Sequence, residues 1–343
     1  MALGQVGRFK GAYDEAMGNT TGQAGVTIEL ETNLSIDSIE YSQGDTGSFL
    51  VNDLVVGGTN LADFDADGDG NPDAGTGTDG ALNLDLTVDL AGSNDFSSTY
   101  NDKLDGTGGA NGGLELFGAT NRSLADGDAI ISVGSLDGKP VDLGVTIGES
   151  TGTAMQLTGD DTGTATLVSE VSMDVYLSQL DIIARAEADG LSTDGTLNNT
   201  GTTGSGALQV DALFSVADLD AKIDVAAVGI RNMKIAGNTQ ADGTTNTLDT
   251  LSSDNNVEAQ FLDPAQVAPA VVSMNIGAGQ SLSGSVSDSL RISLDTFQAD
   301  MYIGAIGIGN EGLNAAGEFA SIGSLGIDNL KITDTEVAIY GRN

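Results

Sequence analysis

The sequence predicts an all-β chain wound as an irregular β-solenoid (β-helix-like) with long Gly-, Asp- and Thr-rich loops, and three observations predict it. Apolar residues alternate with polar ones in strand-length runs, those runs contain repeated steps of three, and long polar segments separate them. A β-sandwich with bulged strands is the alternative reading of the same pattern.

The alternation starts at Val26. Ile28, Leu30, Thr32, Leu34 and Ile36 follow at every second position, the period of a half-buried strand. The period then slips: Ile36 to Ile39 is a step of three, and Val51 to Leu54 is another. Val225, Val228, Ile230, Met233 and Ile235 step by three and two in turn, and so do Ile322, Leu325, Ile327, Leu330 and Ile332. The segments Val228–Ile235 and Leu325–Ile332 also match in sequence, and Leu177 to Leu180 adds one more step of three. In a straight strand an odd step moves every later side chain to the other face. A chain that keeps its apolar groups on one side must therefore bend at each odd step, with two outward residues marking the corner. Asn and Gly suit such corners because they tolerate positive φ. Repeated bending around one core is the course of a solenoid coil; a single bulge in a sandwich strand is the simpler equivalent.

The segments Asn60–Gly80, Ala91–Gly113, Gly148–Thr164, Gly190–Gly206 and Gly237–Asn256 read as loops. Residues 1–25 read as an N-terminal arm, with a short helical turn at Tyr13–Met17, and residues 26–343 as one elongated β domain carrying an insertion at 60–80. A short helix is expected only at Asp263–Val267, where Pro264 follows an N-cap residue.

Composition narrows the function. The net charge of -38, from 50 acidic and 12 basic residues, repels phosphate backbones and anionic lipid, so nucleic acid is not an expected partner. Apolar residues at 39% and in register argue for a folded chain with acidic loops rather than disorder. Cys and His are absent, which excludes Ser-His-Asp and Cys-His catalysis and leaves oxygen-only metal chemistry. A paired-carboxylate glycosidase stays conceivable, but aromatic residues at 4% with no Trp give little for a sugar to stack on. No apolar run is long enough for a transmembrane helix. The start, Met1-Ala2-Leu3-Gly4, lacks a basic-then-apolar leader, so the chain is read as the mature form of an exported protein.

One segment carries metal chemistry. Asp65, Asp67, Asp69, Asn71 and Asp73 occupy positions one, three, five, seven and nine of a calcium loop of the EF-hand type, with Gly70 at the sharp turn. Calcium takes six to eight oxygens, and closely spaced carboxylates supply them locally. Position twelve is Thr76 rather than Glu, and Asp79 lies three residues further on. A second register starts at Asp63. The spacing resembles the free-standing DxDGDGxxD loops of extracellular modules more than a switch EF-hand, so Ca2+ is expected to act structurally. The acidic clusters at Asp160-Asp161, Asp126–Asp128 and Asp102–Asp105 are weaker candidates.

The run Thr20-Thr21-Gly22-Gln23-Ala24-Gly25-Val26-Thr27-Ile28-Glu29-Leu30-Glu31, with the ending Val337-Ala338-Ile339-Tyr340-Gly341, resembles a group of gammaproteobacterial secreted proteins of unknown function. These open on GQAGxTI(E/D)xE, and some are labelled pilus-like or filament proteins. The resemblance implies export and surface fibres, and it supplies no catalytic residues. The expected function is a calcium-stabilised extracellular structural subunit that polymerises with itself head to tail, by its N-terminal arm or by strand addition, in a surface fibre or matrix. The alternative is a cell-surface adhesin whose acidic loops grip other cells or surfaces.

Overall fold

The computed structural model describes residues 26–42, 47–58, 80–90, 127–135, 140–159, 163–186, 190–192, 194–197, 206–237, 251–252, 267–286, 288–309 and 321–341. These residues are almost entirely β, in one 14-stranded sheet. Every pairing among them is antiparallel. The parallel stacking of β-helix coils is not seen among the described residues; the chain meanders instead.

The strands line up end to end into eight columns. Column one is β1 (Val26–Thr32) then β2 (Leu34–Ser42), and column two is β3 (Gly47–Gly57) then β4 (Leu82–Leu90). Column three is β5 (Ala129–Gly134), β6 (Val141–Ile147) and β7 (Met155–Gly159), and column four is β8 (Gly163–Val168) then β9 (Glu170–Arg185). Column five is β10 (Ala207–Ile223), column six β11 (Val228–Ala236) then β12 (Ala270–Gly279), column seven β13 (Ser289–Ile308) and column eight β14 (Ser321–Ile339). A single column pairs with two collinear strands on one edge: β9 takes β6 along one half and β5 along the other, and β13 takes β12 and then β11. The segment Gly148–Thr164, expected as a loop, contains β7 and pairs with β3 and β8. Its Met155 and Leu157 are too few to show a period in the sequence. The helical segments expected at Tyr13–Met17 and Asp263–Val267 lie wholly or mostly outside the described residues, and a 3-10 turn occupies Asp224–Ala226.

Register carries one face of the sheet across all eight columns. Paired residues share a face, so one row runs Ile28, Leu86, Val133, Leu180, Ala212, Val272, Phe297, Ile332. In the other half a row runs Ile36, Leu54, Ile147, Val171, Ala221, Ile230, Ile306, Gly323. On the opposite face a polar row runs Thr27, Thr87, Ser132, Asp181, Asp211, Ser273, Thr296, Thr333.

The steps of three are bulges that keep these faces intact. Ser178–Gln179 in β9 and Asp295–Thr296 in β13 are outward pairs at register shifts. At four such pairs the second residue is left-handed: Asp53 (φ 53), Asn232 (φ 52), Asn329 (φ 53) and Asp334 (φ 54). Two of these corners share a cap from the preceding column. Asn232 N–H donates to Asp220 Oδ1 at 2.7 Å, and Asn329 N–H donates to Asp300 Oδ1 at 2.6 Å. This common device accounts for the sequence match between Val228–Ile235 and Leu325–Ile332. Each extra residue lies on the polar face, so that face is longer and the sheet curves toward its apolar face.

Burial is inverted relative to a simple sandwich. Most of the apolar rows are half-buried, whereas much of the polar face is covered. Asp181, Asp211, Ser273 and Arg291 are buried there, beside a small cluster of Tyr176, Ala217, Ala236, Leu251 and Val267. Many of these buried polar groups bond to one another across neighbouring strands. Asp181 accepts from Ser132 Oγ and Gln179 Nε2, and Asp211 accepts from Ser273 Oγ at 2.6 Å. Arg185 bonds Asp128 at 2.6 Å and also donates to Gln209 Oε1, whose amide reaches Asn275 Oδ1 at 2.9 Å.

Two predictions test this arrangement. Asn329→Val forces a β-branched residue into the left-handed region and is expected to cost about 1–2 kcal/mol in chemical denaturation; Asn329→Gly should be near neutral, and equal losses would show that φ is not what the corner demands. The second concerns Asp218, whose pKa burial and the neighbouring Asp220 push up to about 6, against the pull of Lys234 and Arg231. The folded state therefore holds this proton more tightly than the unfolded chain. The contribution is full below 3.8 and is lost as pH rises through about 6. Asp218→Asn should stabilise the protein at neutral pH by up to about 2–3 kcal/mol, with the gain vanishing in acid, as followed by thermal unfolding across that range.

Candidate functional site: the two ends of the sheet

Columns one and eight are the terminal columns. The registers give β1 the partner β4 and β2 the partner β3, and give β14 the partner β13. One hydrogen-bonding edge of each is left without a strand among the described residues. Neither is short, and neither contains proline, two devices by which sheets close their edges. The apolar row that is half-buried in the middle of the sheet emerges at both ends. Val26 is 57% exposed, Ile28 47% and Leu34 47%; Ile332 is 38% exposed, Val337 42% and Ile339 55%. The cause is geometric: a side chain in a sheet row needs a neighbour on each side, and the terminal columns have one.

The charge at the ends is unequal. β1 and β2 carry Glu29, Glu31, Asp37 and Glu40 and no basic residue. β14 carries Asp328, Asp334 and Glu336 with Lys331 as its one basic residue. A fully buried arginine pins β14 in place: Arg291 of β13 bonds Glu336 Oε2 at 2.5 Å, Ser293 Oγ donates to Glu336 Oε1 at 2.7 Å, and Arg291 also reaches Gln280 O at 3.1 Å. The left-handed Gly195 packs over this pair, since a Cβ there would lie 1.6 Å from Glu336 Oε1. The outermost strand is thus held rigidly on the side facing the sheet.

The expected calcium ligands Asp65, Asp67, Asp69, Asn71 and Asp73 lie outside the described residues, as does the arm at 1–25. The base of the 60–80 insertion is described: Gly58 N–H donates to Gly80 O at 2.9 Å and Gly80 N–H to Gly58 O at 2.8 Å. The loop therefore leaves and re-enters column two through a closed stem. Of the weaker acidic clusters, Asp128 is committed to Arg185 and to the Ala186 N–H, and Asp102, Asp105, Asp126, Asp160 and Asp161 lie outside the described residues. Among the described residues no group of three or more acidic side chains is placed to hold a metal. No helix among them is long and apolar enough to cross a membrane. An open depression of about 480 Å³ at the free end of β3, β7 and β8 is lined by Tyr41, Phe49, Leu157 and Ala165, with no carboxylate among the described residues of its wall.

What the sequence pattern did not signal is the exposure of the ends. Alternation marks which face a residue takes, and only the order of the columns shows which strands lack a neighbour. Comparison with known proteins adds one match: a model for a family of unknown function, DUF6160, covers residues 4–92, the stretch that holds columns one and two with their insertion. Neither the curated proteins nor the solved structures contain a match to the chain.

Proposed function

We propose that this chain is a calcium-stabilised extracellular structural protein, a subunit that joins head to tail in a surface fibre. The observation that carries the reading is the pair of terminal columns, each with an edge that has no strand partner among the described residues and with an emerging apolar row. Free strand edges template further strands, and exposed contiguous apolar surface marks an interaction site. The two ends differ in sequence, so their contact is heterologous, and a heterologous contact that does not close yields filaments.

Calcium has a defined place in this reading. Both ends are acidic, and the whole chain carries -38, so copies repel at the distances where strands would pair. Divalent ions, held at Asp65–Asp73 and at the junctions, offset that repulsion and stiffen the 60–80 insertion. The subunit is read as non-enzymatic, in keeping with the absence of Cys and His and with a depression walled by hydroxyl, aromatic and aliphatic groups.

Negative-stain images and sedimentation of the full chain test this. Fibres are expected in millimolar calcium, loosening on chelation, and Asp67→Ala with Asp69→Ala should weaken their calcium dependence. A chain that stays monomeric at high concentration in calcium would overturn the reading.

A further inference from the structure

We propose that the junction is a specific strand pair: β14 of one copy lies antiparallel against β1 and β2 of the next, with Ile332 opposite Ile28 and Lys331 opposite Glu29. This rests on the head-to-tail reading and names its contact.

Direction supports it first. The columns alternate in direction, as every pairing is antiparallel, and there are eight of them, from β1–β2 through to β14. With an even number, column one and column eight run oppositely within a copy. Moving a second copy along the sheet without turning it over therefore sets its β1–β2 antiparallel to the first copy's β14. An odd number would have forced a parallel joint into an antiparallel sheet.

Register supports it next. The apolar rows cross the sheet from Ile28 to Ile332 and from Ile36 to Gly323. Continuing both rows into the next copy gives the same alignment within one residue, since 28 to 36 spans eight positions and 323 to 332 spans nine. The extra residue belongs to the Asp328–Asn329 bulge, so the apolar face passes unbroken from copy to copy.

Charge then favours this joint over its rivals. In this register the exposed Glu29 faces the exposed Lys331 on the polar side. A closed dimer through β1–β2 would set Glu29, Glu31, Asp37 and Glu40 against one another with no cation. A closed dimer through β14 would oppose Asp328, Asp334 and Glu336 to their own copies. Only the heterologous joint brings the basic residue of one end to an end that has none. Strands about 4.8 Å apart then give an axial repeat of about 38 Å per copy.

The chain has no cysteine, so cross-linking reads the joint directly. The full chain carrying both Glu29→Cys and Lys331→Cys, oxidised in calcium, should give a covalent ladder. The two single variants mixed should give one heterodimer band, and each alone should stay monomeric. Glu31→Cys with Lys331→Cys reports a two-residue slip and should give no ladder. As a check independent of cysteine, Glu29→Lys alone should raise the critical concentration for assembly about two- to five-fold, with Lys331→Glu restoring it. Fibres without the 29–331 ladder, or a ladder from position 31 instead, would overturn the contact while leaving head-to-tail assembly standing; self-dimers of either single variant would overturn both. Absence of any oligomer from the unsubstituted chain would overturn both.

Discussion

The structure depends on one constraint: apolar side chains must stay on one face of the sheet while each column bends. A strand has a period of two, and a bend inserts a residue. Without compensation, everything beyond the bend would change sides. The chain compensates by placing the outward pair of an odd step on the polar face and, at four such pairs, letting the second residue turn left-handed, as at Asn232 and Asn329. Asp220 and Asp300 then hold the turned N–H groups from the neighbouring column. The cap is costly to make: burial raises the pKa of Asp300 while the Asn329 N–H lowers it. A carboxylate is kept there because it fixes a corner that the whole apolar face requires.

Much of the polar face is buried. Among the described residues, Leu251 and Val267 pack onto it against Tyr176, Ala217 and Ala236. Elsewhere on that face, polar groups of neighbouring strands hydrogen-bond to one another, as Ser273 does to Asp211 and Gln209 to Asn275. Buried polar groups are tolerable when paired, and Asp128, Arg185, Gln209 and Asn275 form a chain in which each satisfies the next. Such a network adds less to net stability than apolar packing, but breaking one member is severe because its partner is left unpaired. That asymmetry makes the Arg291–Glu336 pair an effective anchor for β14, a largely exposed terminal strand.

The odd steps were legible in the sequence because they leave a periodic trace; Val228–Ile235 and Leu325–Ile332 showed the corner, and Asn at the second outward place showed its backbone. Strand direction was not legible. Periodicity is the same in parallel and antiparallel sheets, so bending read as winding when the chain in fact reverses between columns. The covered polar face was also hidden, since alternation cannot tell which face the loops will choose; Asp181 and Asp211 look like solvated residues until their neighbours Ser132 and Ser273 are placed beside them. Strands as short as Met155–Gly159 lie below the length at which a period can be read. The spacing of Asp65–Asp73 is a local pattern of the sequence that lies outside the described residues, and only the base of its insertion, the Gly58–Gly80 bridge, is described.

A sheet that ends in two open edges is usually an aggregation hazard, and proteins close such edges with short strands, proline or inward charge. Here neither terminal column is short, β1 and β2 spanning 7 and 9 residues and β14 spanning 19, and their apolar residues keep the spacing of the interior rows. The acidic residues lie on the other face, where they slow approach without blocking the edge itself. In the proposed assembly this combination would separate two properties that edge protection normally couples: charge would keep copies apart until counter-ions are present, and the backbone edge would stay competent to pair once they are. On that proposal, exposure at Ile28 and Val337 belongs to an unfinished sheet. A sheet of eight alternating columns is one that another identical sheet can finish.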